Sequence, residues 1–341
     1  MRNPFRVRRG AWLAIWVVVA SAALAEEPHE EVTIDNGEVR LAATLVRPAA
    51  EAGYPGVVFI HGSGPHKRAG PLAFASAFTD AGVGLLAFDK RGSGESTGAH
   101  WGSSSLEDLS EDVLAAVEFL RRQAGFDPDR IGLWGVSQGG WLAPMVAERD
   151  GNLAFVIVTS GGGASPLQSE LFSYGQVFDR AKLSVRDRAA AMALLGDYFR
   201  YLGTGEDRAG LMAAIGRARE ESWYAALNIG RIVPSEANRP NWAWVANFDP
   251  MPGIARLTAP VLLVFGDQDR DQPTELAIER WRQGLALAGN DRVTVRVFEG
   301  ANHGIRSGDH SHGKRPPLVD GYPEVITTWL EQNIAGDRTE R

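Results

Sequence analysis

Ser137 stands at the centre of Gly135-Val136-Ser137-Gln138-Gly139, a Gly-x-Ser-x-Gly pattern. The apolar residues Ile131 to Trp134 precede it and read as a short buried strand. Residues 141–149 follow it and suit a helix. A serine on so sharp a strand-to-helix turn is pushed out of the sheet at a strained backbone position. The flanking glycines are needed because a Cβ there would collide with the neighbouring strand or helix. The helix that follows aims its free N–H groups at the serine, where negative charge would develop during acyl transfer. A serine hydroxyl is a weak nucleophile, however. It needs a base, a group that orients the base, and donors for the oxyanion.

The base must come from the seven histidines. His29 lies far upstream, His61 and His66 flank an early glycine loop, and His100 sits in a loop. His303, in Glu299-Gly-Ala-Asn-His-Gly304, follows the last apolar strand and is the best placed. Asp309, His310 and His312 have the residue types of a metal site, but one short polar loop reads more simply as solvated. The orienting acid is sought after the preceding strand, where Asp267, Asp269 and Asp271 compete. Asp267, next to Gly266, suits bonds to turn amides. Asp271, ahead of Gln272-Pro273, suits an N-cap. That leaves Asp269. For the oxyanion, Gln138 N–H is one donor. The other is expected from the loop His61-Gly-Ser-Gly64, with Ser63 the first choice and Gly64 the second.

These residues need a scaffold that brings them together. Residues 31–35 and 38–46 alternate apolar and polar around Asn36-Gly37, a hairpin signal. Residues 57–60, 84–88, 131–134, 154–158, 261–265 and 293–298 are short apolar runs, the mark of strands buried on both faces. Helical patterns lie between them, at residues 71–81, 106–123 and 141–149. In the second of these, Leu109, Val113, Ala116, Val117 and Leu120 form one stripe. Residues 126–130 read as a turn. Strands alternating with helices imply right-handed crossovers and a mainly parallel sheet, whose ligands sit at the C-terminal strand ends. Every polar motif above follows its strand.

Residues 165–255 contain no strand signal. They carry helical patterns at 166–182, 185–202, 206–217 and 218–228, and the aromatics Trp223, Tyr224, Trp242, Trp244 and Phe248. This insert reads as a helical cap over the catalytic edge, between core segments 26–164 and 256–341. Of its aromatics, Trp223, Tyr224, Trp242 and Trp244 are candidate substrate contacts.

The chain has 341 residues, is 44% hydrophobic and 23% charged, and carries a net charge of −7. This is ordinary globular composition with no nucleic-acid surface. The absence of cysteine excludes a disulfide framework, a thiol nucleophile and a Cys-ligated metal. Arg2, Arg6, Arg8 and Arg9, the apolar run 11–20 and Ala23-Leu24-Ala25 match a signal peptide over 1–25, cleaved before Glu26. The expectation is an exported periplasmic or secreted protein with no membrane anchor after cleavage.

Taken together, His61-Gly-Ser-Gly, Asp89-Lys-Arg-Gly-Ser-Gly-Glu-Ser96, Gly135-Val-Ser-Gln-Gly, Gly266-Asp-Gln-Asp and Asn302-His-Gly resemble the α/β-hydrolase superfamily over residues 30–335. The nearest likeness is to its dienelactone-hydrolase-like and serine-aminopeptidase-like (S33-type) exported bacterial esterases. The order Ser137, Asp269, His303 is the order of that superfamily. The resemblance implies an α/β-hydrolase fold and Asp269 as the triad acid. It also implies that Asp89-Lys-Arg-Gly is a structural turn in which Arg91 bridges loops. Dienelactone hydrolases proper use a cysteine, which this chain lacks, so their lactone substrate is not carried over. The expected activity is that of a serine carboxylesterase on small or medium esters, with no cofactor, metal or nucleic acid. A peptidase of the same fold is the alternative, with a cap carboxylate such as Glu170, Glu220 or Glu221 to hold a substrate amino terminus and nothing in the sequence to single one out. A thioesterase or a non-catalytic binding protein ranks lower.

Overall fold

The computed structural model describes residues 29–227, 233–308 and 316–335. The expected signal peptide and the Asp309, His310 and His312 cluster lie outside the described residues. Among the described residues no helix is long and apolar enough to cross a membrane.

Eight strands form one sheet: β1 (His29–Asn36), β2 (Val39–Val46), β3 (Tyr54–Ile60), β4 (Gly84–Phe88), β5 (Phe126–Val136), β6 (Val156–Thr159), β7 (Val261–Gly266) and β8 (Val293–Phe298), in the order β1-β2-β4-β3-β5-β6-β7-β8. The β1–β2 hairpin turns at Asn36-Gly37 and β2 joins β4 antiparallel; every other pairing is parallel. The helices are α1 (Ala69–Leu72), α2 (Ala75–Thr79), α3 (Leu106–Arg121), α4 (Gly139–Asp150), α5 (Pro166–Ala181), α6 (Val185–Thr204), α7 (Arg208–Ala218), α8 (Tyr224–Leu227), α9 (Trp244–Asn247), α10 (Met251–Ile254), α11 (Thr274–Leu287) and α12 (Tyr322–Leu330).

The runs in β3, β4, β5, β6 and β7 are buried on both faces because successive side chains point to opposite sides of a strand. β8, at the sheet edge, is not the fully buried strand expected: its residues are half-buried or exposed, with Val297 48% exposed. Val58, Ile60 and Leu133 join the core beneath α3 and α4, while Val57, Phe59 and Trp134 join the core beneath α2 and α12. The stripe Leu109, Val113, Ala116, Val117 and Leu120 of α3 is buried in the first of these cores. A capping box starts α3, with Ser105 Oγ accepting from Asp108 N and the Asp108 carboxylate accepting from Ser105 N.

Several expectations are corrected. Residues 126–130 are not a turn but the start of β5, with Phe126 paired to Tyr54 before a shift in register. The helix expected at 71–81 is two short ones, α1 and α2. Within 218–227, Ala218 ends α7 and only the short α8 follows as a helix. Arg91 does not bridge two loops. It ties its loop to α3, donating through Nε and Nη2 to the two Asp112 oxygens at 2.6 and 2.7 Å. Asp89 accepts from Arg68 N and Glu95 N, so this stretch is a structural turn.

Between β6 and β7, helices α5 to α9 build a separate apolar cluster around Phe178, Leu195, Tyr201 and Leu202. This insert leans on the sheet edge through aromatic rings. The Trp141 and Trp244 centroids are 5.9 Å apart, those of Trp242 and Trp244 are 6.4 Å apart, and Trp242 Nε1 donates to Gly102 O at 2.7 Å.

Candidate active site

Four loops at the C-terminal ends of strands converge on Ser137. The serine follows β5 and has a positive φ of 54°, which is costly for a residue with a Cβ. Its backbone is over-determined: Ser137 N donates to Thr159 O of β6 and Ser137 O accepts from Gly140 N. A Cβ on Gly135 would lie 2.4 Å from Gly139 O, and one on Gly139 would lie 2.5 Å from Ile60 O. No other residue fits either position. This packing turns the chain sharply from β5 into α4 and lifts Ser137 from the sheet.

His303, in the loop after β8, places Nε2 at 2.9 Å from Ser137 Oγ and Nδ1 at 2.8 Å from Asp269 Oδ2. A carboxylate only accepts, so Nδ1 carries the proton and the Nε2 lone pair faces the serine hydroxyl. Asp269 has 0% side-chain exposure, whereas His303 is 27% exposed, along the cleft. The other Asp269 oxygen accepts from Asp271 N and Gln272 N at 2.8 and 2.9 Å, so the carboxylate is held on both sides. Burial pushes the His303 pKa down, but the hydrogen bond and charge of Asp269, helped by Asp271, more than offset it and leave the imidazole above its ordinary 6.5.

Asp267 takes the turn role expected of it, accepting from Gly300 N at 2.7 Å. Asp271 does not cap α11, whose N-cap is Pro273 with no side-chain bond. Instead Asp271 lines the cleft, within reach of Ser173 Oγ at 3.4 Å. Among the described residues the one group with metal-ligand potential is Asp269, Asp271 and His303. There the His303 nitrogens and Asp269 oxygens already bond to each other, to Ser137 and to backbone amides, so a cation would have to break that chain.

Ser63 and Gln138 flank the serine. A Cβ on Gly62 would lie 3.2 Å from Ser137 Cβ, so a side chain there would press on the serine that this loop approaches so closely. Among the described residues no hydrogen bond engages Ser63 N or Gln138 N. His66 Nε2 donates to Ser63 O at 2.7 Å. His61 donates from Nε2 to Phe88 O at 2.5 Å, and burial pushes its pKa down to about 3, so it is neutral and supports the loop from below.

The serine and His303 line a cleft of about 640 Å³. Its apolar wall includes Phe59, Phe74, Trp141, Trp242, Trp244 and Tyr322. Trp242 and Trp244 are thus where the sequence reading placed them. Trp223 and Tyr224 are not. Trp223 is 5% exposed and packs in the insert's own core with Tyr224 against it, and Phe248 packs against the sheet core. Spacing alone does not separate a wall tryptophan from a packing one. Of the cap carboxylates Glu170, Glu220 and Glu221, which the sequence leaves level, Glu170 of α5 lines the cleft; sequence reading missed Ser169 and Ser173 of α5, which line it too, beside Asp271. Glu170 opens into the cleft, but the surrounding walls and then the Asp271 charge push its pKa up. Its place on the first turns of α5, directly after the glycine-rich segment 161–163, is the signal that was available.

Residues 57–313 match the family model described as "Alpha/beta hydrolase family". The chain belongs to the alpha/beta hydrolase family. Within the family it is similar to the quorum-quenching protein AidA of Acinetobacter baumannii, 28% identical over 258 residues that cover 73% of this chain and 81% of that one. It is also similar to the esterase EstD of Thermotoga maritima, 27% identical over 303 residues that cover 85% of this chain and 62% of that one. Among solved structures, Est1E of Butyrivibrio proteoclasticus shares the fold, with a TM-score of 0.55, 15% identity and coverage of 89% of this chain and 99% of that one.

Proposed function

We propose that the protein is a serine hydrolase that cleaves carboxylic esters through an acyl-enzyme on Ser137. The observation that carries this reading is the unbroken relay from Ser137 Oγ through His303 to the buried Asp269, open to a cleft with aromatic walls. In the first step Ser137 Oγ attacks the ester carbonyl as its proton passes to His303 Nε2. Asp269 steadies the imidazolium, and Ser63 N–H and Gln138 N–H receive the oxyanion. His303 then protonates the leaving alcohol. In the second step water gives a proton to His303 as it attacks the acyl carbon; the acyl–Oγ bond then breaks, His303 returns that proton to Ser137 Oγ, and the acid is released. The likeness to an esterase supports the same reading.

The cleft chemistry sets the substrate class. Aromatic walls take apolar groups, while Glu170 and Asp271 disfavour an anionic one. Neutral p-nitrophenyl esters with short acyl chains are expected to be cleaved well, and the hemisuccinate ester poorly. Replacing Trp242 or Trp244 by alanine should raise KM several-fold or reorder the series through lost apolar burial, with covalent labelling of Ser137 retained. If both variants keep the wild-type ester profile, the insert does not select substrate. A peptidase reading draws on Glu170 and Asp271, which are placed to meet an amino group. Faster turnover of aminoacyl-anilides than of any ester would favour it.

The rate should also follow the His303 proton. Only neutral imidazole accepts the serine proton, so kcat/KM is lost as pH falls through the histidine pKa. Because that pKa is raised, the acid limb should lie above 6.5. A pH profile with its limb at or below 6.5 would contradict the Asp269–His303 coupling.

Residues 1–25 are proposed to direct export. N-terminal sequencing of the exported protein should then begin at Glu26, whereas an intact N-terminus would refute cleavage.

A further inference from the structure

Lys90 follows β4 in the Asp89-Lys-Arg-Gly turn and is 3% exposed. Its Nζ donates to Gly62 O at 2.7 Å and to Gln138 Oε1 at 2.7 Å, and it lies 5.2 Å from the centre of the Trp101 ring. Among the described residues it has no carboxylate within ion-pair distance. A buried ammonium without an ion-pair partner is costly, and an apolar side chain of similar length would avoid that cost. Burial pushes its pKa down to about 7, with Asp112 partly offsetting.

What the ammonium touches is specific. Gly62 O and Ser63 N–H belong to one peptide unit, which is planar and trans, so they point in opposite directions. Gly62 and Ser63 line the cleft and Lys90 does not. A cation holding Gly62 O from behind therefore turns Ser63 N–H towards the cleft, beside Ser137. The same cation grips the side chain of Gln138, whose own N–H is the second donor at the start of α4. One charged group thus joins the loop after β3 to the turn after β5.

We infer that Lys90 is a positioning residue of the oxyanion site, holding Gly62 O and Gln138 Oε1 so that the N–H groups of Ser63 and Gln138 face the same point beside Ser137 Oγ. The inference rests on the serine-hydrolase reading above. Its effect belongs to the transition state: the two N–H groups, polarised by a positive charge behind them, gain most when the carbonyl oxygen becomes an anion.

The test uses the Lys90→Met and Lys90→Gln variants of the full chain. Active sites are titrated with a fluorophosphonate. Then kcat and KM on p-nitrophenyl butyrate, and the affinity for a trifluoromethyl ketone that forms an oxyanion on serine addition, are measured. Lys90→Met should lower kcat per titrated site by roughly 10- to 100-fold, somewhat less than outright removal of an oxyanion donor. KM should stay close to wild type, and ketone affinity should fall in parallel with kcat. Lys90→Gln keeps a donor without the charge and should fall between. If Lys90→Met does not fold, Lys90→Gln decides alone. Wild-type kcat per titrated site and wild-type ketone affinity in the folded variants would overturn the inference. So would a change confined to KM. Wild-type enzyme that hydrolyses the ester yet never reacts with the fluorophosphonate would instead overturn the serine-hydrolase reading.

Discussion

Asp269→Asn should lower kcat by about 10⁴-fold while the protein folds normally. The amide keeps the shape of the carboxylate and one oxygen, so the contacts from Asp271 N and Gln272 N can persist. What is lost is the charge that stabilises the imidazolium and the acceptor that fixes the proton on Nδ1. With an amide NH₂ facing Nδ1, the histidine favours the tautomer with its proton on Nε2, which has no lone pair for the serine. The neighbouring acids provide the control. Asp267→Asn retains an oxygen for Gly300 N and is expected to keep nearly full activity. Asp271→Asn removes a more distant charge and should shift the acid limb of the rate profile slightly downward. The measurement is kcat on one neutral ester for all three variants. If Asp267→Asn or Asp271→Asn is the inactive one, Asp269 is not the orienting acid.

Ser137→Ala should remove more, about 10⁶-fold in kcat, because the triad acts as a unit and nothing replaces the attacking oxygen. KM for the ester should change little, since the aromatic wall and the oxyanion donors remain. Alanine also tolerates the positive φ of this turn about as poorly as serine does, so the backbone strain is unchanged and stability should stay near wild type. Residual hydrolysis within tenfold of wild type would show that the acyl group is not carried on this serine.

Much of this was legible in the sequence because the chemistry sits at strand ends, and strands here are short apolar runs bounded by glycine. Ser137 and Asp269 each follow such a run, His303 follows the alternating edge strand β8, and the parallel order of β5, β6, β7 and β8 brings them to one edge. The Asp269 assignment was reachable because its rivals had separate local uses, although only that of Asp267 is realised. The failures have a common cause. Residues 126–130 contain Asp127-Pro128-Asp129, turn chemistry locally, but pairing of Phe126 with Tyr54 draws them into β5. Trp223 and Trp242 look alike in sequence. One is sealed by the insert's own helices and the other faces the cleft, and this depends on how the helices pack against each other. The Lys90 bridge links residues from three separate loops, and no spacing announces it.

The central claim is that Ser137 Oγ carries the acyl group. The most direct measurement is peptide mass mapping after reaction with a fluorophosphonate. One adduct per chain is expected, on the peptide containing Ser137, blocked by prior incubation with the trifluoromethyl ketone and absent from Ser137→Ala. An adduct of equal yield on Ser137→Ala, or on any other peptide of the wild-type protein, would contradict the account.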